Sequence, residues 1–221
     1  IRSRGLGDVY KRQEQIVLAL FLLSGISFFL YHLLLRLRIV LKGKSNFSVD
    51  ELPKRIIRVF DEVILHKKVA SGKRKSAGIL HALVMYGFIF FGLITINHFG
   101  MAFGLPIFSE SFRHTYFLIF GAPWAILCTI GILGLAYRRF VIKPEALGKF
   151  SSTSALVSVF IVTLMTTYLI DELHILTGAA EKFNWWLHSG VIGGFLFLIP
   201  QSKHMHLSLI HISEPTRPNT I

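Results

Sequence analysis

Histidines inside long apolar stretches are the residues of this 221-residue sequence whose type and spacing could do chemistry. His81 and His98 stand 17 residues apart in one such stretch, and His188 and His206 stand 18 residues apart in another. Ionisable side chains at membrane depth are costly and usually mark function. Imidazole is a common neutral ligand of heme iron, and two axial histidines leave no open position on the metal, which favours electron transfer over oxygen chemistry. These four histidines are therefore candidate axial ligands of heme b.

Five apolar segments must position these histidines. The chain is 52% hydrophobic, and several uninterrupted apolar runs approach the ~20 residues that a helix needs to cross a bilayer. Continuous blocks of this length predict helices, whereas a membrane barrel would need short alternating strands. The sequence therefore predicts an all-α integral membrane protein, a five-helix transmembrane bundle with spans at about 15–41, 78–103, 115–137, 154–176 and 184–206.

The depth and direction of the histidines follow from helix geometry. The second and fifth spans cross the membrane in opposite directions, so His81 should lie level with His206 and His98 level with His188. At about 1.5 Å per residue, the separations along the two helices are roughly 25 and 27 Å, which is room for two stacked hemes. His188 and His206 share one face of their helix, whereas His98 points about 100° away from His81. Pro200 can kink the fifth helix between its two histidines.

Basic residues gather in two of the loops. The formal net charge is +12, with ten Lys and Arg residues between positions 42 and 76 and four more between 138 and 149. The positive-inside rule places both loops in the cytoplasm, so the N-terminus is predicted outside and the C-terminus inside. Since the charge serves topology, nucleic acid is not an expected partner. Residues 46–77 are predicted to form an amphipathic cytoplasmic loop that lies on the inner leaflet or against a partner.

Both ends of the chain match a translated transposon-based sequencing adapter. SRGLGDVYKRQ near the start and LSLIHISEPTR near the end correspond to its two strands. We therefore expect residues 1–13 and 207–221 to be adapter-derived and not native. The five-span domain is then predicted to occupy 14–206, and a further domain could adjoin it at either end.

Cys128 is the one cysteine of the sequence, and it lies inside the third span. An iron–sulfur cluster is usually held by four cysteine thiolates, so this sequence cannot supply a cysteine-ligated cluster. Any iron–sulfur cluster is expected in a missing domain or in a partner.

Two segments resemble the gamma subunit of respiratory nitrate reductase and its relatives. WWLHSGVIGGFLFLIPQSKHMH is similar to the last helix of that family, in which W-x-H and P-x-S-[KR]-x-x-H supply two heme-binding histidines. RKSAGILHALVMYGF is similar to the family's second helix, which has an Arg and a Gly ahead of a ligand histidine. The sequence most resembles the cytochrome b modules of heterodisulfide-reductase-like membrane complexes, which are often fused to a cytoplasmic iron–sulfur protein or partnered with one.

This resemblance implies a function and three ligands. By family position, His81, His188 and His206 bind heme iron, with one or two hemes b in the chain. The implied function is respiratory electron transfer between menaquinone or ubiquinone and a cytoplasmic iron–sulfur oxidoreductase, fused or separate. The chain would be the electron-transfer subunit of an oxidoreductase complex, in the inner (cytoplasmic) membrane of a prokaryote.

The fourth ligand departs from the family pattern. The family has a second histidine ten residues after the first, where this sequence has Phe91. Three alternatives stay open: His98 serves in its place, another residue such as His32 or His174 is recruited, or only one heme is bound.

A different function class is a membrane transporter or anchor that uses intramembrane histidines as proton relays without heme. The absence of Gly- or Pro-broken repeat helices disfavours a transporter. Near the predicted outer end of span four, Asp171, Glu172 and His174 are possible participants in proton release from quinol.

Aromatic and small residues have simpler interpretations. Tyr168, Trp185 and Trp186 are predicted to form an aromatic belt at the outer interface. Gly87 and Gly92 on span two could let a porphyrin or another backbone approach closely.

Overall fold

A computed structural model describes residues 12–42, 53, 57, 75–145 and 150–201. Five long helices make up nearly all the regular structure of this part, and no strand occurs in it. They are α1 (Arg12–Leu41), α2 (Lys75–Ala102), α3 (Glu110–Ile142), α4 (Ser152–Glu172) and α5 (Ala179–Gln201). The all-helical prediction is therefore confirmed for the described residues.

Four of these helices are long and apolar enough to cross a membrane: Arg12–Arg38, Lys75–Ala102, Glu110–Ile142 and Ser152–Glu172. Helix α5 is not among them, because its first half carries Asn184, two tryptophans and His188. The predicted fifth span continues to residue 206, beyond the described residues, so the five-span count and the orientation stay predictions. Most of the predicted amphipathic loop 46–77 also lies outside the described residues, although its last three residues already belong to α2.

The first compact unit contains α2, α3, α4 and the start of α5 as far as His188. Helix α3 packs against α2 on one side and α4 on the other. Small residues permit the α2–α3 contact: a Cβ atom at Gly87 would lie 2.9 Å from Cys128 Sγ, and one at Gly131 would lie 2.9 Å from the Leu80 carbonyl oxygen. Gly87 therefore serves helix packing, whereas a Cβ atom at Gly92 would meet open space, with no neighbour within 4 Å.

Helix α3 contains a π-helical turn at Phe117–Gly121 and ends in a second one at Arg138–Ile142. Pro123 explains the first, because proline lacks the N–H that an α-helix needs at this position and its ring crowds the carbonyl four residues earlier. The same turn brings Gly121 against the Tyr168 hydroxyl of α4, where any side chain would collide. The predicted span 115–137 thus falls short of the helix at both ends.

The second compact unit contains α1 and the part of α5 that begins at Ser189. A Cβ atom at Gly25 of α1 would lie 3.0 Å from Leu196 Cδ1 of α5, so the glycine permits this close contact. The ring centres of Phe28 and Phe197 lie 5.2 Å apart. Arg36 Nη2 donates a hydrogen bond of 2.6 Å to the Pro200 carbonyl oxygen. This bond links the side chain of α1 to the backbone of α5.

We expect Gly87→Leu to destabilise the first unit, because the new side chain would overlap Cys128 on α3. Overpacking of this kind costs about 1–3 kcal/mol, so the Tm of the purified protein in detergent should fall by several degrees. Gly92→Leu is the matched control on the same helix, since Gly92 is exposed. Equal Tm values for the two variants would contradict the assigned α2–α3 packing.

Candidate functional site

His98 and His188 meet in the first unit. His98 lies one turn before the end of α2, and His188 lies in the third turn of α5. Their ring centres are 5.1 Å apart, with the ring planes inclined by 55°. Trp185, which is one turn before His188, stacks on the His98 ring at 5.0 Å. The two histidines that the sequence predicts at one depth are thus direct neighbours.

A hydroxyl group on α4 contacts the His188 ring. Thr167 Oγ1 donates to the Thr163 carbonyl oxygen at 2.7 Å, one helical turn earlier. The same oxygen lies 2.7 Å from His188 Nδ1. When the single Thr167 proton is directed at the carbonyl, Thr167 accepts the Nδ1–H and the lone pair of the neutral imidazole is on Nε2. When the imidazole carries its proton on Nε2, the hydroxyl donates to Nδ1 instead. Only the first arrangement leaves Nε2 with the lone pair that a metal would need.

Asn184 holds α5 in register with α4. It is 5% exposed, and its Nδ2 donates 2.9 Å to the Thr167 carbonyl oxygen. Asn184 precedes His188 by four residues, so the two side chains lie on the same face of α5. Thr167 therefore contacts α5 twice, through its side chain to the histidine and through its backbone to the asparagine.

Asn97 closes the same end of α2. It is 3% exposed, and its Oδ1 accepts hydrogen bonds from the backbone N–H groups of Ile107 and Phe108 at 3.0 and 2.9 Å. These two N–H groups belong to the loop between α2 and α3. The loop therefore folds back over the helix end beside His98.

An ion pair between α3 and α4 borders the same part of the first unit. Arg113 Nη1 of α3 donates to Glu172 Oε1 of α4 at 3.0 Å, and the two side chains are 23% and 11% exposed. Asp171 precedes Glu172 and borders the same small cavity, as do both histidines. The cavity has about 40 Å³ of space for water, which is room for about two or three molecules.

The residues at this site fit a heme iron by their donor chemistry. Imidazole nitrogen binds transition metals at about 2.0 Å, so two imidazoles on opposite sides of one metal have ring centres about 6 Å apart. The observed 5.1 Å is about 1 Å short of that separation. Within the described residues no three potential metal-ligating side chains converge. A pair of histidines is nevertheless enough for heme iron, because the porphyrin supplies the metal's other ligands. The lining side chains would have to move outward to admit a porphyrin ring.

The other predicted ligands are not part of this pair. His81 is exposed near the opposite end of α2, and His206 lies outside the described part. His32 contacts Phe28 and Tyr31 within α1, in the second unit. His174 is exposed on a turn after α4, with a left-handed backbone (φ 51°).

Several residues of the site have roles that the sequence interpretation missed. Tyr168 and Trp185 are 6% and 4% exposed, so the prediction that they form an aromatic belt is wrong; both pack inside the unit. Thr167 and Asn97 were not predicted to contribute, although a threonine pair spaced i, i+4 and an asparagine beside a histidine are unusual in apolar spans. Arg113 lies in the segment 105–114, whose small number of basic residues indicates only that it faces the outside of the membrane.

Among known proteins, no family model and no solved structure matches this chain. The chain is 28% identical over 213 residues to the probable iron-sulfur-binding oxidoreductase FadF of Bacillus subtilis (strain 168). The alignment covers 83% of this chain and 30% of FadF, so the chain spans less than a third of that relative's length. A chain whose described residues include four helices suited to a membrane is thus similar to part of a probable iron-sulfur-binding oxidoreductase.

Proposed function

We propose that this chain is a membrane electron-transfer module that binds heme b and passes electrons between a quinone and a cytoplasmic iron–sulfur oxidoreductase. The observation that carries the proposal is the His98–His188 pair, together with the Thr167 hydrogen bond that directs His188 Nε2 away from α4. Two neutral imidazoles on antiparallel helices suit low-spin heme, which transfers electrons without an open coordination position. For a second heme, His81 and His206 are the proposed ligands on sequence grounds.

The chain's own side chains would set the ligand geometry. Heme supplies an iron atom that takes up and releases one electron at a time. Thr167 would hold the His188 ring in one orientation and, by accepting its Nδ1–H, in the tautomer that presents Nε2 to the iron, as partners of metal-bound histidines commonly do. Trp185 stacks on His98 and limits its ring rotation. These contacts reduce the reorganisation that would accompany each change of charge on the metal.

The iron–sulfur partner is proposed from the similarity to FadF and from the cysteine content. FadF is a probable iron-sulfur-binding oxidoreductase, and this chain spans 30% of it. Cys128 is buried between α2 and α3 and is the single cysteine of the sequence. A cluster therefore belongs to another domain or to a separate protein, which we place on the cytoplasmic side with the basic loops.

The proposal of a quinone as electron partner is supported by a groove beside Thr167. It has about 360 Å³ of space and lies on α4 and the start of α5, where Thr166, Phe183 and Leu187 are exposed. Pockets for small organic ligands begin at about 300 Å³ and combine apolar walls with a few polar groups. Here the polar groups are threonine hydroxyls and Asn184, so a quinone headgroup that enters from the lipid would approach Thr167, the residue that contacts His188.

The proposal is tested by heme content. We expect the protein purified from heme-supplemented membranes to show a b-type spectrum when dithionite-reduced and oxidised samples are compared, and pyridine hemochrome quantitation to give one or two hemes per chain. Addition of a quinol should reduce the heme. A folded protein without heme would contradict the proposal and favour a transporter or anchor whose histidines relay protons.

Thr167→Val should weaken heme binding, because it removes the acceptor of the His188 Nδ1–H while preserving side-chain shape. Loss of such a partner typically lowers metal affinity by about 10–100-fold, and heme retained per chain after detergent washing measures it. Thr166→Val is the matched control, since Thr166 is the exposed neighbour. If both variants retain as much heme as the unmodified protein, the assigned role of Thr167 is wrong.

A further inference from the structure

We infer that Asp171 is the residue that exchanges protons at the His98–His188 end of the protein, and that the Arg113–Glu172 ion pair positions it. This inference rests on the proposed function, which needs a route for the protons that accompany quinone chemistry. It assigns different roles to two neighbouring carboxylates, and both assignments follow from their surroundings.

The first step is the difference between the carboxylates. Glu172 is bonded to Arg113 across the α3–α4 contact and has a fixed position. Asp171 is partly buried on the same helix and also interacts with the charge of Arg113, but the hydrogen bond to Arg113 belongs to Glu172. Two carboxyl groups in one cavity take different roles when their environments differ. Glu172 is suited to remain ionised against the guanidinium, and Asp171 is suited to gain and lose a proton.

The second step is the route. Asp171 borders the water-sized cavity that His98 and His188 also border. The three residues that follow Glu172, at positions 173–175, are exposed. Asp171 therefore lies between the cavity and the surface of this end of the unit. Thr167 and Asn184 border both this cavity and the groove proposed for the quinone. Water in the cavity would therefore connect a quinol in that groove to the carboxylate, and the exposed turn would connect the carboxylate to bulk solvent.

Charge balance defines the step. Oxidation of one quinol to quinone breaks two O–H bonds and releases two electrons and two protons. The two electrons would leave through the redox group of the proposed function to the iron–sulfur acceptor. The protons go in turn through cavity water to the Asp171 carboxylate and from it to water outside. Quinone reduction would use the same path in reverse.

The charged environment of Asp171 sets the pH test. The titratable groups that face it are Arg113, Tyr168, Glu172, His174 and, on α5, Glu181. An ionised carboxylate is the proton acceptor, so quinol-driven heme reduction should accelerate as pH rises through the Asp171 titration. The Asp171→Asn variant should lack this acceleration, because its amide cannot accept a proton.

The experiment compares three variants of the full chain in membranes. Asp171→Asn should slow quinol-driven heme reduction by ~10²-fold, the usual contribution of a positioned base, while dithionite-reducible heme is unchanged. Asp171→Glu should restore most of the rate, and Glu110→Gln, which neutralises an exposed carboxylate on the same side, should have no effect. Asp171→Asn with the rate and pH profile of Glu110→Gln would overturn the inference. Absence of heme from the unmodified protein would instead overturn the proposed function, and this inference with it.

A second readout does not depend on heme. A membrane-permeant carbodiimide adds to protonated carboxyl groups in apolar surroundings, and peptide mass spectrometry locates the adduct. We expect label on Asp171 that decreases as pH rises, and none on Glu172 while Arg113 is present. Label on Glu172 in preference to Asp171 would reverse the two roles and overturn the inference.

Discussion

The Thr167 hydroxyl is the contact on which the arrangement of the His98–His188 site depends. Thr167 Oγ1 lies 2.7 Å from both the Thr163 carbonyl oxygen and His188 Nδ1, and its hydroxyl has one proton to give to either of them. Which of the two accepts that proton decides the imidazole tautomer, and the contact itself holds the His188 ring against α4. In apolar surroundings such a polar contact is costly to leave incomplete. Asn184 completes it by binding the Thr167 carbonyl.

Hydropathy predicted the helices well where apolar residues and helical backbone coincide. The second span was predicted at 78–103 and the helix is Lys75–Ala102. Where the two do not coincide, the prediction erred. The fourth span was extended to 176 because Leu173, Ile175 and Leu176 are apolar, but the helix ends at Glu172 and the chain turns through a left-handed His174. Helix α5 begins earlier than predicted, since its first turn contains two alanines and two charged residues, Glu181 and Lys182, which are good helix formers but give the turn a low mean hydropathy.

The histidine pair could be predicted by counting residues along antiparallel helices, because depth depends only on length. Its surroundings could not be predicted in this way. Arg113 reaches Glu172 across 59 residues of sequence, and Asn97 binds backbone groups of a loop that hydropathy treats as a connection. Such contacts are set by how helices α2, α3 and α4 pack. The signal that was present, polar residues at helical spacing inside apolar spans, identifies candidates without naming their partners.

The most direct test of this account is the electron paramagnetic resonance spectrum of the oxidised protein beside that of its His98→Ala variant. The account predicts a low-spin signal of iron with two imidazole ligands, and loss of that signal, or its conversion to high spin, when His98 is removed. If a second heme is present, its signal should persist. An unchanged spectrum in His98→Ala, with unchanged heme content, would contradict the assignment of His98 and His188 as an axial pair.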